Sequence, residues 1–486
     1  METRIAADQD TSASYAIAVT AALEREADSH WWSRPCGVRD VLQLAVPLII
    51  STGTWTIMNF VDRLFLLWHS ESEMAAAMPA GMLHFALVCF PMGVAAYVNT
   101  FVAQYYGAKR LERIAPAVWQ GIRIGLYCFP FYLALIPLTP YIFRFAGHAP
   151  DLARCETVYL QIAAFGAGAE IIAAAQAAFF TGRGTTSVVM VVDASASILN
   201  IVLDYGWIFG HFGLPEWGIA GAAWATVISL WWRVIAYTIL MSLPRYRSFE
   251  FWKHRRFDRR LFRRLLKYGG PTGLHMVVEI AGFTLFLLLV GNLGKDEMAA
   301  TTLAFTINNL AFVPLLGLGL ALSTMVGRQL GHNHPELAVH ATWTSLWMAV
   351  AYMGVMSLIY VLCPDIILLG HAAGASPEEF ARLRDTTVVL LRFVAAYCLF
   401  DALNIVFAST LKGAGDTRFI LITSLVLTPV PLVTAWLGIR FGGLGLLWCW
   451  ITITGWVCAL GIIYSARFFD GRWKQMRVIE AEFIPG

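Results

Sequence analysis

Twelve apolar segments, each about 20 residues or longer, follow one another along this chain of 486 residues. A segment of that length crosses the hydrocarbon core of a bilayer as an α-helix, because lipid leaves every backbone amide dependent on an internal partner. Only 14% of the residues are charged, against roughly a quarter in soluble domains. The sequence therefore predicts an all-α polytopic membrane protein with 12 transmembrane helices. We place the spans at about residues 40–68, 76–105, 117–146, 156–181, 186–210, 218–243, 264–293, 297–330, 340–370, 386–412, 417–440 and 443–468.

Lysine and arginine accumulate in alternate loops, and this bias predicts the orientation of the chain. The connection from Arg245 to Lys267 carries ten basic residues, and more bases follow spans 2, 4, 8, 10 and 12. The first 38 residues have no apolar core of the kind that a signal peptide needs. We therefore expect a multi-pass protein of the plasma (inner) membrane with both termini in the cytoplasm. The basic connection predicts contact with membrane lipids of negative charge, rather than with nucleic acid.

The chain repeats itself at an offset of 224 residues. This offset pairs Pro47 with Pro271 and Gly107 with Gly331, while an offset of 231 near the middle of each half pairs Glu170 with Asp401. Six spans per half is an even number, so the halves share one orientation, as in transporters built from parallel repeats. The repeat predicts two six-helix lobes: an N-lobe at 39–244 and a C-lobe at 265–469. A basic linker at 245–264 joins them, a lead-in at 1–38 precedes them and a tail at 470–486 follows.

Several polar side chains lie deep within the predicted spans, where a charge is costly and usually has a partner or a function. Helical spacing places members of each set on one face. Carboxylates, amides and hydroxyls are ligands for hard cations such as Na⁺, and a carboxylate can also carry a proton. We therefore predict two sites for a coupling ion. The N-lobe set is Asp62, Asn200, Asp204 and Thr226; the C-lobe set is Glu279, Tyr397 and Asp401; Asn59, Glu170 and Asn404 are supporting candidates.

Structural roles compete with these assignments for three of the carboxylates. Asp204 lies near the end of its span, where it can reach the interface or cap the helix. Asp62 precedes Arg63 and can form an ion pair with it, and Glu170 can be a protonated structural group. Neither Glu279 nor Asp401 has a basic residue close in sequence, so a functional role is favoured for these two.

In these features the chain resembles the multidrug and toxic compound extrusion (MATE) family, in particular its NorM-type branch. The resemblance rests on Pro47 with Asp62, the segment from Asn200 to Asp204, the segment from Gly221 to Thr226, Pro271 with Glu279, and the segment from Asp401 to Thr417. It covers about residues 38–468. Arg63 departs from the family, which often has a small residue or threonine there.

The resemblance implies a secondary active antiporter that exports lipophilic, often cationic drugs in exchange for Na⁺ or H⁺. It would work without a cofactor, as a monomer that is not an enzyme, and it carries the two ion sites onto the residues given above. Two alternatives remain at this point. One is a flippase for lipids or lipid-linked oligosaccharides from the same superfamily, and the other is an integral membrane transferase.

Overall fold

The computed structural model describes residues 32, 34–372 and 377–480, so most of the predicted lead-in at 1–38 lies outside the described residues. The described residues form helices and loops without strands. Twelve helical segments are long and apolar enough to cross a membrane, which confirms the predicted fold class. They are α1 (Val38–His69), α2 (Glu71–Gly107), α3 (Leu111–Phe145), α4 (Pro150–Gly182), α5 (Thr186–Phe209), α6 (Ile219–Met241), α7 (Arg259–Gly291), α8 (Lys295–Gly331), α9 (Pro335–Leu362), α10 (Leu383–Ala414), α11 (Thr417–Gly442) and α12 (Leu446–Asp470).

Several helix ends differ from the predicted ones, and two of these differences have a clear structural cause. The ninth span was expected to reach residue 370, but α9 ends at Leu362 and a short helix, Pro364–Ala372, follows it. Pro364 has no amide hydrogen and disfavours a helical residue before it, so the helix ends here. At the other position α7 begins at Arg259, within the predicted linker, because the Asp258 side chain accepts from the backbone N–H groups of Arg260 and Leu261 at 3.0 Å each.

Helix packing follows the same pattern in both halves of the chain. In the first half α4 packs against α2, α3 and α6, while α5 packs against α1 and α6. In the second half α10 packs against α8, α9 and α12, and α11 packs against α7 and α12. Each contact in the second half corresponds to one in the first half with the helix number increased by six. The sequence repeat is therefore also a repeat of packing, and we call the two bundles the N-lobe and the C-lobe.

The lobes meet near one end of the bundle, the face where α1 begins and α12 ends, which we call the terminal face. The contacts here join α1 to α8, α2 to α7 and α2 to α8. Gly107 and Gly331, which the repeat pairs, lie against each other: a Cβ added to Gly331 would stand 2.2 Å from the Gln104 carbonyl oxygen. Glycine is needed because the two backbones approach too closely for any side chain.

Buried hydrogen bonds join the lobes in the same region. The Asn99 amide donates to the Thr324 hydroxyl at 2.9 Å, and the Gln104 amide donates to the Gly413 carbonyl at 3.0 Å. The Tyr97 hydroxyl donates to the carbonyl of Lys412 at 2.9 Å. Buried polar groups that form hydrogen bonds of this kind fix the position of one apolar surface on the other.

The segment after α12 lies across this junction. Val478 is fully buried, and its backbone N–H donates to the Gln104 side-chain oxygen at 2.8 Å. The Glu480 carboxylate accepts from the Tyr105 hydroxyl at 2.7 Å and from Arg113 at 3.2 Å, and both of these residues belong to the N-lobe. Residues 471–480, which we call the C-terminal strap, therefore connect the C-lobe to the N-lobe.

Candidate functional site

Two carboxylates of the N-lobe meet at the side chain of Asn200. Its amide, oriented with the nitrogen toward the carboxylates, donates to Asp204 and to Asp62 at 3.0 Å each, while its oxygen accepts from the backbone N–H of Thr226 at 3.3 Å. Asp62 comes from α1, Asn200 and Asp204 from α5, and Thr226 from α6. One turn of α5 separates Asn200 from Asp204, so both reach the same point. The structure thus brings all four residues of the predicted N-lobe set together.

The carboxyl groups of Asp62 and Asp204 also interact directly with each other. Two negative charges that share one hydrogen-bond donor, Asn200, repel each other strongly. Asp204 is fully buried, and its second oxygen has no hydrogen-bond partner in the described residues. A cation or a proton bound here would relieve both the repulsion and the unsatisfied oxygen.

Neither of these carboxylates makes the direct contact that its competing structural role requires, although the charge of Arg63 does act on Asp62. Asp204 is buried, so it does not extend to the interface. Asp62 bonds to Asn200, and Arg63 forms no ion pair in the part of the chain that the structure describes. Asn59 lies one turn before Asp62, yet its amide donates to the Trp55 carbonyl of its own helix at 2.8 Å. Asn59 thus stands beside the cluster without joining it.

A second cluster of polar side chains lies near the middle of the C-lobe. Asp401 is buried, Asn404 lies within interaction range of it one turn along α10, and the charge of Glu279 of α7 also acts on Asp401. One turn before Asp401, the buried Tyr397 hydroxyl accepts from the Asn308 amide of α8 at 3.4 Å. Tyr397, Asp401 and Asn404 therefore lie within two turns of α10, and the charge of Glu279 reaches Asp401 from α7.

The Glu279 side chain is 47% exposed although it lies twelve residues before the end of α7. A carboxylate at that depth that faced the lipid tails would be very costly, so it faces an opening between the lobes. The junction of the lobes lies toward the terminal face. The opening therefore lies toward the opposite face, and the charge of Glu279, which faces it, reaches the buried Asp401.

Sequence reasoning did not find two further contacts of these acidic groups. His275 is buried one turn before Glu279, with its Nδ1 atom 3.3 Å from a Glu279 oxygen. His84 of α2 lies 3.4 Å from Glu170 of α4. The repeat offsets align His84 with Asn308, and Glu170 with Asp401. The sequence did contain a signal for each contact. His275 lies within a span one turn from Glu279, and His84 lies within a span at the position that the repeat aligns with Asn308.

A third polar group in the membrane was also missed. Asp193 of α5 accepts from Arg233 at 2.9 Å and from the Tyr237 hydroxyl at 3.1 Å, and its other oxygen accepts from the Ser51 hydroxyl. Oppositely charged residues within two consecutive spans were the signal in the sequence. Because both oxygens have partners, this group joins α1, α5 and α6 and leaves little capacity for an ion.

Comparison with known proteins gives a consistent result in sequence and in fold. The family model MatE matches residues 47–206 and 271–437, one segment in each lobe. A "Probable multidrug resistance protein NorM" of Rhizobium meliloti (strain 1021) is 28% identical over 457 residues, covering 91% of this chain and 95% of the relative. A "Multidrug resistance protein NorM" of Burkholderia vietnamiensis is 29% identical over 382 residues, covering 78% of this chain and 82% of the relative.

Solved structures share the arrangement of the helices. An outward-facing conformation of a multidrug resistance MATE family transporter of the MOP superfamily superimposes with a TM-score of 0.79 at 19% identity, covering 89% of this chain and 96% of that one. A crystal structure of MATE in complex with MaL6 gives a TM-score of 0.82 at 18% identity, covering 90% and 97%. The predicted resemblance to NorM-type proteins is confirmed, and the protein is a multi-pass membrane protein.

Proposed function

This chain belongs to the MatE family, and we propose that it is a secondary active antiporter that exports lipophilic, often cationic drugs and other xenobiotics in exchange for Na⁺ or H⁺. One observation carries the proposal: Glu279 presents its carboxylate to an opening between two lobes, and the buried Asp401 lies within range of its charge. Relatives named as multidrug resistance proteins support the same function. Transport of this kind is not an enzymatic reaction and needs no cofactor beyond the coupling ion.

The exchange follows from competition for one electrostatic field. While Glu279 and Asp401 are ionised, their negative potential attracts a cationic substrate into the opening. A sodium ion or a proton that binds the carboxylates cancels this potential and thereby lowers the affinity for the substrate. By linkage, the substrate lowers the affinity for the ion to the same extent. The cluster of Asp62, Asn200 and Asp204 provides the N-lobe with a second site for the same ion.

Exposed apolar side chains in the half away from the terminal face suit a lipophilic substrate. They include Trp55, Met78 and Met82 of α1 and α2. Tryptophan faces attract organic cations, and the flexible methionine thioether adapts to ligands of different shapes. Those of these side chains that face the opening would supply an adaptable surface, and the carboxylates would select positive charge.

In the cell we place the protein in the plasma (inner) membrane as a monomer with both termini in the cytoplasm. The bases that follow the even-numbered spans support this orientation. The terminal face is then cytoplasmic, and the opening between the lobes faces outward. With this orientation, we assign the structure to the state that releases substrate and takes up the coupling ion, and we place membrane lipids around the lobes.

The test is efflux of a cationic dye from proteoliposomes under a Na⁺ gradient and, separately, under a H⁺ gradient. We expect Glu279→Gln and Asp401→Asn each to abolish coupled efflux, because the neutral amide can neither carry a proton nor attract a cation. Asp385→Asn is the matched control: Asp385 lies on the same helix as Asp401, but its side chain is 87% exposed. Wild-type efflux by both C-lobe variants under both gradients would refute a coupling role for this pair.

The same proteoliposomes distinguish the alternative functions. A flippase would move a labelled lipid or lipid-linked sugar without a dye gradient, and a transferase would convert its substrate chemically. Neither alternative is favoured, since the matched relatives are named as multidrug resistance proteins and the matched structures as MATE transporters.

A further inference from the structure

A cavity of about 450 Å³ lies at the terminal face, between the N-lobe, the start of α7 and the C-terminal strap. Its lining contains five cationic side chains and two carboxylates. The residues are Arg113, Asp258, Arg260, Arg263, Arg264, Lys267 and Glu480. The cavity is far from Glu279 along α7, so it is separate from the proposed ion site.

Both carboxylates of the cavity are already engaged. Asp258 caps the first turn of α7 and lies 3.5 Å from Arg113. Glu480 accepts from Tyr105 and also from Arg113, at 3.2 Å. Each of the two acids therefore already has Arg113 as an ion-pair partner, and five cations face two carboxylates.

Three of the cations have no carboxylate partner in the described part of the chain: Arg260, Arg263 and Lys267. Arg264 differs from them, because it donates to the Val478 carbonyl of the strap. The three unpaired cations line one cavity within two turns of a single helix, where their charges repel one another. An anionic group with several acceptor oxygens would relieve this repulsion, and phosphate is such a group.

The neighbouring side chains indicate where the cavity lies relative to the membrane. Phe257, which precedes these cations in sequence, is 50% exposed, and Leu266, which lies between Arg263 and Lys267, is 43% exposed. Trp252 is 48% exposed. Exposed aromatic and aliphatic side chains beside cations at the end of a span are typical of the level of the lipid headgroups.

We propose that this cavity binds a phosphate group, supplied by the headgroup of an anionic phospholipid of the leaflet at the terminal face. The ligand would contact Arg260, Arg263 and Lys267, with Arg113 on the N-lobe side. Because the cavity is built from both lobes and the strap, an occupied site stabilises the arrangement in which the lobes meet at this face. The proposal is independent of drug transport and holds for any cargo.

The experiment measures lipid binding by the full-length protein. Protein in nanodiscs of phosphatidylcholine is compared with protein in nanodiscs that also contain phosphatidylglycerol, by thermal unfolding and by native mass spectrometry of retained lipid. The cavity variant is Arg260→Gln/Arg263→Gln/Lys267→Gln. The control is Arg245→Gln/Arg247→Gln/Lys253→Gln, which removes three cations of the preceding linker that do not line the cavity. A charge-preserving variant, Arg260→Lys/Arg263→Lys, tests the fold independently of charge.

We expect phosphatidylglycerol to stabilise the wild type, the control and the charge-preserving variant. We expect it to bind the cavity variant at least about tenfold more weakly than the wild type. Equal lipid binding by the cavity variant and the control would overturn the proposal. A third arm adds inorganic pyrophosphate to protein in phosphatidylcholine alone. Stabilisation there that depends on the three cations, with no effect of phosphatidylglycerol, would support a phosphate site and reject the lipid as its source.

Discussion

Substitution of Glu480 by glutamine should weaken the junction of the lobes at the terminal face. The carboxylate accepts from the Tyr105 hydroxyl at 2.7 Å and from Arg113 at 3.2 Å, so it links the C-terminal strap to the N-lobe through two bonds in which charge takes part. Glutamine has nearly the same shape and keeps an acceptor oxygen but lacks the charge. The variant therefore removes the electrostatic part of the contact and leaves its packing intact.

The structure sets the size of the effect. A hydrogen bond to a charged group contributes about 1.5–3 kcal/mol, against about 1 kcal/mol for a neutral one. The Glu480 side chain is 32% exposed, and water screens part of that difference. We therefore expect a loss of about 1–2 kcal/mol over the two bonds, which changes the ratio of closed to open junctions roughly 5- to 30-fold.

The assay is the distance distribution between two spin labels at the terminal face, one on each lobe. Glu112 and Glu336 are suitable positions, because both are exposed and the repeat makes them equivalent. Asp470→Asn is the matched control: Asp470 forms ion pairs with Arg467 and Arg472, which belong to the C-lobe and the strap, so it does not connect the lobes. We expect the population of long distances to be larger in Glu480→Gln than in the wild type, and to be unchanged in the control. Identical distributions in wild type and Glu480→Gln would refute the reasoning.

The same contact has a defined pH dependence. The Tyr105 hydrogen bond, together with the nearby guanidinium groups, outweighs partial burial and holds the pKa of Glu480 below its ordinary value. A lowered pKa means that the contact favours the ionised form. Its contribution is therefore fully present above the ordinary pKa of a glutamate, near 4.3, and is lost as the pH falls through the lowered value. Acidification below the ordinary pKa of a glutamate should lengthen the label distances in the wild type but change them little in Glu480→Gln.

Three further predictions concern other parts of the chain. Arg233→Leu leaves Asp193 as an uncompensated charge within the membrane and should cost about 3–5 kcal/mol in unfolding by SDS, most of which Asp193→Leu/Arg233→Leu should recover. Gly331→Val places a side chain against the Gln104 carbonyl and should lower the thermal unfolding temperature, whereas a change at the open Gly354 should not. Burial, with the nearby Asp40 carboxylate, raises the pKa of Cys36 to about 11, so a maleimide at pH 8 should label the exposed Cys363 and spare Cys36.

The sequence predicted the spans well because the length of an apolar run is a local property. The N-lobe site was predictable for a related reason. Asn200 and Asp204 share a helix face through their spacing alone. Their polar groups, like the carboxylate of Asp62, are costly in lipid unless they find a partner. The same logic applied to Asp401 with Tyr397 and Asn404.

Contacts between distant segments could not be predicted in this way. The tail after residue 470 looked like a polar extension, yet Trp473 and Val478 in it are fully buried. Trp473 stacks on Phe468 at the end of α12, but the partner of Val478 is Gln104, hundreds of residues away. Arg233 and Asp193 were missed for a different reason: each reads as an isolated charge until the packing of α5 on α6 brings them to 2.9 Å.

The junction between the lobes carries a consequence for how the protein could be assembled. Under the repeat, the contact of α1 with α8 becomes the contact of α7 with α2, and the contact of α2 with α8 is mapped onto itself. An interface with this property is isologous, like that of a twofold dimer. The surfaces that join the lobes do not require the linker to orient them, so a chain divided between residues 249 and 259 should reassemble from two co-expressed six-helix fragments. A single ancestral half with the same surface would have been able to pair with its own copy.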